Sequence, residues 1–210
     1  APIDGLRRAN RPRRRAVVAA VAFVVAASAL PLPASAAEAA GAVVQLTGSA
    51  AAFARAERRV LSPQAAVFRE DTVTTAESSK LEIRLGGETT LKMGAKGRVR
   101  LDRLTGGGGL VSLEDGAVLI DKSPESKARP LEIESSFGRI VVRGTRFFVG
   151  PNRGAFAVLV LRGKVSVEAG GVSVDLTDGE GTDIARPGER PSPVKTWGAA
   201  RIAEALAEVE

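Results

Sequence analysis

The stretch Phe-Gly-Arg-Ile-Val-Val-Arg-Gly-Thr-Arg-Phe-Phe-Val (residues 137–149) is an apolar run that is interrupted once, at Gly144. Side chains of a strand alternate between its two faces, so Ile140 and Val142 share one face. If this alternation continued unchanged past Gly144, Arg146 would point inward. A shift of one residue at Gly144 turns Arg146 outward instead. We therefore predict a bulge or sharp bend at Gly144, because a residue without a Cβ atom is the least strained there.

The bend defines two sets of residues. The predicted structural motif of the bend consists of Gly144, Thr145 and Phe147. After the shift, Thr145 and Phe147 point inward. The basic side chains of this stretch point outward. Basic side chains of the following strands are grouped with them. The predicted basic face consists of Arg139, Arg143, Arg146, Arg162 and Lys164. Such a face is expected to attract an anionic glycan, an anionic lipid surface or an acidic partner, or else to be neutralised by acids elsewhere in the fold.

The basic character of the chain resides mostly in its N-terminus. The formal net charge is +6, but residues 1–36 hold six arginines and one acid. The remaining 174 residues carry 24 basic and 23 acidic side chains. A nucleic-acid-binding function is therefore not expected, and the scarcity of aromatic side chains for base stacking agrees with that view.

The N-terminus has the pattern of a secretory signal. An Arg-rich region ends at Arg15, an apolar run extends over residues 16–32, and a small-residue motif follows. These are the three regions of a signal peptide, and we predict a signal helix with cleavage after Ala36. The alternative is an uncleaved membrane anchor, since the apolar run has nearly the length of a membrane span. Either way the rest of the chain is expected outside the cytoplasm, as a periplasmic or secreted bacterial protein.

Residue types restrict the chemistry. The chain contains no cysteine and no histidine, which excludes a Ser-His-Asp triad, a cysteine nucleophile and the common zinc ligand sets. Two carboxylate pairs fit a hydrolase by residue type only, and we predict no enzymatic activity, no catalytic residue and no cofactor. These pairs are Glu114 with Asp115 and Glu132 with Glu134. A possible calcium cluster is interpreted as a polar turn, with no metal expected; it comprises Asp175, Asp178, Glu180 and Asp183.

The mature region predicts an all-β fold of many short strands joined by turns that contain glycine. Leu81–Leu85 alternates cleanly, and the segment 156–161 is apolar on both faces, as in a strand that is buried on both sides. Leu161 and Val165 keep one parity, so no bulge is expected at Gly163. The spacing of the strands fits a sandwich, a jelly roll or a solenoid, and these alternatives stay open. Gly106–Gly109 is interpreted as a flexible loop tip.

The C-terminal segment differs in character. Residues 186–193 contain three prolines and are expected to form a linker. Residues 199–210 have the apolar spacing of a short amphipathic helix, which we expect to pack on the β body together with Trp197. The predicted organisation is a signal peptide at 1–36, a β domain at 37–187, and a linker with a helix at 188–210.

Three motifs resemble the FecR-like domain of bacterial exported proteins. The segment 70–83, Glu-Asp-Thr-Val-Thr-Thr followed by a strand, is similar to the early D-x-V-x-T segment of that family. Residues 137–147 resemble its central V-R-G-T-x-F signature, and residues 158–167 resemble the V-x-x-G-x-V-x-V unit that comes next. The resemblance extends over about residues 41–187.

The resemblance implies an all-β, partly solenoid-like, non-catalytic module for protein interaction and signal transduction in the cell envelope. Its partner would be another envelope protein. Well-known members carry cytoplasmic helices that control a sigma factor, whereas here the apolar run begins at Ala16. The expectation is therefore limited to the exported domain. The alternative function is a structural or glycan-binding envelope protein that uses the basic face.

Overall fold

The computed structural model describes residues 38–210, and within them it contains eighteen strands and one helix. The strands are β1 (Ala39–Thr47), β2 (Ala50–Ala54), β3 (Glu57–Val60), β4 (Ala66–Phe68), β5 (Thr72–Thr75), β6 (Lys80–Leu85), β7 (Thr89–Met93), β8 (Arg98–Arg100), β9 (Gly109–Asp115), β10 (Val118–Lys122), β11 (Leu131–Ser135), β12 (Gly138–Val142), β13 (Arg146–Asn152), β14 (Ala155–Arg162), β15 (Val165–Ala169), β16 (Val172–Leu176), β17 (Glu180–Ile184) and β18 (Lys195–Thr196). The helix α1 spans Ala199–Ala207. The prediction of an all-β fold with a short C-terminal helix is confirmed.

The strands form two sheets of nine strands each. Sheet 1 has the order β18-β17-β14-β13-β10-β7-β6-β1-β4, and sheet 2 has the order β16-β15-β12-β11-β9-β8-β5-β2-β3. The chain passes repeatedly from one sheet to the other, usually after a hairpin, so that successive pairs of strands are added along both sheets in the same direction. Among these eighteen strands, pairing is antiparallel except between β9 and β11. The predicted signal peptide and its helix lie outside the described residues.

The main core lies between the two sheets. Side chains from both sheets contribute to a single buried cluster, in which Ile140 and Val142 of β12 meet Phe147 and Val149 of β13. These four side chains are at most 2% exposed. The alternation of apolar and polar residues in the sequence has its cause here, because each strand turns every second side chain towards the facing sheet.

A second apolar cluster covers the outer face of sheet 1. Leu159 of β14 and Phe148 of β13 point away from the main core and pack with Trp197, Ala205 and Val209. This cluster explains why the segment 156–161 is apolar on both faces: α1 lies over a strand that also faces the core. No helix within residues 38–210 is long and apolar enough to cross a membrane.

The chain changes sheets at both Gly144 and Gly163. Gly144 has a φ of +58° and stands between β12 of sheet 2 and β13 of sheet 1, so the bend is a crossover between sheets rather than a bulge within one strand. Gly163 has a φ of +96° and stands between β14 and β15, where the chain returns to sheet 2. The predicted continuous parity at Gly163 was wrong, because Leu161 belongs to the outer cluster and Val165 to the main core.

The four-glycine segment also differs from its prediction. Gly107 and Gly108 are buried, and the segment folds back against the loop that follows β10 rather than forming an exposed tip. A Cβ atom on Gly108 would lie 2.1 Å from the carbonyl oxygen of Arg129. Glycine is therefore needed here because two backbone segments approach closely, and not because the loop is free.

Candidate functional site

The two crossovers meet at the buried side chain of Thr145. Its hydroxyl oxygen lies 2.9 Å from the carbonyl oxygen of Arg143 and 3.0 Å from that of Lys164, so it can donate a hydrogen bond to either. A Cβ atom on Gly163 would be 3.0 Å from the same hydroxyl oxygen. The Arg-Gly-Thr bend and the later Arg-Gly-Lys bend thus form one structural unit at an edge of the sandwich.

The predicted basic face is divided between the two sheets. Arg146 and Arg162 are paired across β13 and β14 in sheet 1. Asp121 of β10 accepts a hydrogen bond from Arg162 at 2.8 Å and forms an ion pair with Arg146 at 4.0 Å. Arg146 also contacts Glu210 at 2.7 Å, beyond the end of α1. These two arginines therefore attach neighbouring strands and the C-terminus to sheet 1.

The other members of the predicted face have different surroundings. Arg139 lies on β12 of sheet 2, where its guanidinium is 3.3 Å from the Glu134 carboxylate. Lys164 contacts Asp175 at 2.7 Å. Arg143 is exposed, and no carboxylate of residues 38–210 forms an ion pair with it. Exposed ion pairs of this kind contribute about 0–1 kcal/mol each, but they reduce the net positive potential of the surface.

The carboxylates of the possible calcium cluster have separate partners. The pKa of Asp175 is lowered by hydrogen bonds, first from Lys164 and then from Ser166. The pKa of Glu180 is lowered by hydrogen bonds from the hydroxyl and the backbone N–H of Thr177. Asp178 accepts from the backbone N–H of Gly163 at 2.5 Å, and Asp183 binds Arg201. In the described part of the chain, no three carboxylates converge as metal ligands.

Three of the four carboxylates considered for a hydrolase are likewise engaged with arginines. Arg139 contacts both Glu134 and Glu132, the latter at 3.8 Å. Glu114 accepts from Arg98 at 2.6 Å, while Asp115 accepts from the adjacent backbone N–H of Gly116. Their arrangement is that of surface ion pairs on strands of sheet 2.

A groove of about 620 Å³ lies beside the start of the signature stretch. It is bounded by the β11–β12 turn, by the β15–β16 turn and by Gly188. Phe137 lines it and stacks on Phe156, with ring centroids 4.4 Å apart and the rings within 3° of parallel. The groove adjoins Ser173 at the beginning of β16, which is the last strand of sheet 2.

A second cavity, of about 490 Å³, is lined by the buried residue Lys122, which was not among the residues predicted from the sequence. Lys122 is 2% exposed and ends β10. Val118 and Ile120 of the same strand face the main core, and Lys122 has their parity. The sequence does contain a signal for Lys122, because a lysine stands where the alternation of the strand predicts a core side chain.

Comparison with known proteins gives a family and a fold. Residues 71–166 match the family model described as FecR protein, which confirms the resemblance found in the sequence. No curated protein matches the chain. Two crystal structures of a "putative anti-sigma factor" from Parabacteroides distasonis are similar, with TM-scores of 0.54 and 0.53 at 19% and 18% identity.

The structural match covers only part of this chain and part of each solved chain. It covers 64% of this chain and 63% or 64% of the two solved chains, so less than two thirds of those chains is represented. At this level of identity the likeness shows a common fold.

Proposed function

We propose that this chain, whose residues 71–166 match the FecR family model, is a non-catalytic signalling module that binds another protein of the bacterial cell envelope. The family match carries the proposal. The fold shared with a protein described as a "putative anti-sigma factor" supports a regulatory role. The signal-like pattern of residues 1–36 favours a periplasmic or secreted location.

The edge strand β16 offers a surface for such a partner. Within residues 38–210 it pairs only with β15, and the two strands are joined by the two-residue turn Gly170-Gly171. In such a hairpin the pair flanking the turn is hydrogen-bonded, and pairs then alternate along the strands. Ser173 and Asp175 therefore direct their backbone N–H and C=O groups away from β15. An extended segment of a partner protein would pair with these groups.

The groove beside Ser173 adds a second element of recognition. A partner strand added to β16 would pass this groove, where Phe137 presents an aromatic surface. Strand addition supplies affinity through the main chain, and neighbouring pockets supply specificity for side chains. We therefore place the protein-binding surface at β16 and the β11–β12 turn.

A proline substitution tests this surface. In Ser173→Pro the outward N–H group is replaced by a ring, while the bonds of β16 to β15 are retained. The matched control is Arg58→Pro on β3, the other edge of sheet 2, which occupies the equivalent position in a hairpin with a two-residue turn. Tagged full-length protein is incubated with an envelope extract, cross-linked, and the captured proteins are identified by mass spectrometry.

We expect one protein to be enriched by the wild type and by Arg58→Pro, and to be lost with Ser173→Pro. Equal capture by all three would refute the edge-strand surface. Capture no greater than with a tag-only control would refute the protein-binding function itself. The signalling role is measured separately, as a change in transcript levels when the Ser173→Pro allele replaces the wild type.

A second proposed function is attachment to an anionic glycan or lipid surface through Arg139, Arg143, Arg146, Arg162 and Lys164. The observation that favours it is the exposure of Arg143 without an ion pair among residues 38–210. Sedimentation with purified cell-wall sacculi tests it. We expect cosedimentation to be lost in the double variant Arg139→Glu/Arg143→Glu, and unchanged cosedimentation would oppose this function.

A further inference from the structure

Four basic side chains line the cavity of about 490 Å³ at the end of β10. The cavity is formed by the connection from β10 to β11 on one side and by the signature bend on the other. Its basic residues are Lys122, Lys127, Arg129 and Arg143. No carboxylate of the described residues is among those that line it.

Lys122 is the one buried residue of the four, and the other three are exposed. Its Nζ atom donates a hydrogen bond to the carbonyl oxygen of Gly107 at 3.0 Å. An ammonium group has three N–H donors, so two remain without a protein acceptor within residues 38–210. Burial lowers the pKa of Lys122, and the negative charge of Glu88 acts in the opposite direction. A buried ammonium with unused donors is unfavourable unless an acceptor reaches it.

The charges of the cavity are not balanced by ion pairs. Within the part of the chain that the structure describes, no carboxylate lies within 4.0 Å of any of the four basic groups. This separates them from Arg146 and Arg162, which share Asp121. Glu88 is the acid that acts on Lys122, and it accepts a hydrogen bond from the Ser126 hydroxyl. Four cations around one cavity repel one another, and an anion inside it would relieve that repulsion.

We propose that this cavity binds a phosphate oxyanion, with the ammonium of Lys122 at its base and Lys127, Arg129 and Arg143 around its mouth. Arginine guanidinium groups match the geometry of phosphate oxygens, and lysine adds a point charge. A cavity of this volume falls in the range that accepts small organic ligands, so it has room for a phosphate that is attached to a larger group. This site is distinct from the β16 edge and does not depend on the proposed partner.

Calorimetric titration of the full chain with inorganic phosphate and with glycerol 3-phosphate tests the site. The principal variant is Lys127→Gln/Arg143→Gln, which removes two exposed charges. Its matched control, Arg58→Gln/Arg84→Gln, removes two exposed charges that have no ion pair among residues 38–210 and lie elsewhere. Ionic strength is held constant with sodium chloride, because exposed charges respond to salt.

We expect saturable binding by the wild type, an affinity reduced at least about tenfold in the principal variant, and an affinity within about twofold of wild type in the control. These changes follow from the loss of charge-assisted hydrogen bonds in one case only. Lys122→Met should abolish binding while the circular dichroism spectrum is retained. Should Lys122→Met fail to fold, the double variants decide.

Absence of saturable binding of both phosphates to the wild type would overturn the proposal, as would an equal loss of affinity in the control. The source of the phosphate is distinguished with phosphatidylcholine vesicles that do or do not contain phosphatidic acid. Binding to the phosphatidic acid vesicles that inorganic phosphate displaces would indicate a lipid headgroup. Binding of the soluble phosphates without binding to these vesicles would indicate a soluble ligand. Both results support the site.

Discussion

A Cβ atom on Gly144 would lie 2.6 Å from the Cα atom of Pro124. The signature bend therefore rests directly on the backbone of the loop that follows β10. Gly144 also has a φ of +58°, which side chains with a Cβ atom rarely adopt. Conformation and close approach both require glycine at this crossover, and the same contact forms one wall of the basic cavity.

We expect Gly144→Ala to destabilise the fold more than Gly106→Ala. Gly106 has the same φ of +58°, but no atom of residues 38–210 lies within 4 Å of the added Cβ, so it isolates the conformational cost of about 1–2 kcal/mol. The contact with Pro124 adds about 1–3 kcal/mol in Gly144→Ala. Urea unfolding followed by tryptophan fluorescence gives both values. Equal losses would mean that the loop moves away from the bend without cost.

Arg201 connects α1 to sheet 1, and we expect Arg201→Lys to weaken this connection. Its guanidinium lies 3.6 Å from the ring centroid of Trp197 and binds both carboxylate oxygens of Asp183, at 3.1 Å and 2.6 Å. Lysine keeps the charge but loses the planar fork, at a cost of about 1–2 kcal/mol. The matched control is Arg186→Lys at an exposed ion pair, where the expected loss of stability is about 0–1 kcal/mol.

Trp197 is the single tryptophan of the chain, so its emission reports directly on the packing of α1. We expect Arg201→Lys to shift this emission to longer wavelength, because the partly released ring becomes more hydrated. An unchanged spectrum together with unchanged stability would show that the stacking contact does not hold the helix.

Acid should weaken the attachment of α1 through Glu204. A hydrogen bond from Arg153 lowers the pKa of Glu204 below the ordinary value of 4.5. A carboxyl whose pKa is lower in the folded state stabilises the fold above its unfolded pKa, and this contribution disappears as the pH falls through the folded value. The unfolding free energy should therefore depend less steeply on pH below about 4.5 in Arg153→Gln than in the wild type.

Arg84→Gln serves as the control for this acid dependence, since Arg84 is exposed on β6 and has no ion pair within residues 38–210. The unfolding free energy of Arg84→Gln should depend on pH as steeply as that of the wild type. A wild-type slope in Arg153→Gln would indicate that Glu204 titrates normally and that the ion pair does not contribute.

In a buffer without phosphate, the unfolding free energy of the wild type should increase relative to that of Lys122→Met as the pH rises. Burial holds the pKa of Lys122 below its ordinary value of 10.5, so the unfolded chain binds more protons at this site than the folded chain does. The stability that involves Lys122 is therefore expected to increase with pH between the folded and the unfolded pKa.

The difference in unfolding free energy, wild type minus Lys122→Met, measures this effect across pH 7 to about 10.5. We expect it to increase with pH. A difference that is independent of pH would show that Lys122 is solvated and titrates as an exposed lysine does.

Local pattern was sufficient for much of the architecture. Alternation identified the strands, and the parity break at Gly144 located a change of direction, because a strand that faces a core must present apolar residues at every second position. The spacing of Ile202, Leu206 and Val209 located α1, since these residues recur on one helical face. The Arg-Gly-Thr signature pointed to the FecR family model that matches residues 71–166.

The same reasoning failed at Gly163 because Leu161 and Val165 have the same parity but face different clusters. Parity distinguishes the two faces of a strand, but it does not distinguish the inner face of one sheet from the outer face of the other. Only the position of α1 on sheet 1 makes both faces of β14 apolar, and nothing within β14 specifies that position.

The sequence by itself therefore determined the all-β class, the resemblance to the FecR family over residues 71–166 and the glycine at which the signature stretch bends, since each depends on residues that are neighbours in the chain. The tertiary structure alone decided which charges remain unpaired. Asp121 neutralises Arg146 and Arg162 from a strand that is far from them along the chain but adjacent to β13 in the sheet. Lys122, the next residue, is buried and lines a cavity to which no carboxylate of residues 38–210 contributes. Electrostatic partners are set by distance in space. Folding brings together residues that are far apart along the chain, so their separation in the sequence does not reveal that distance.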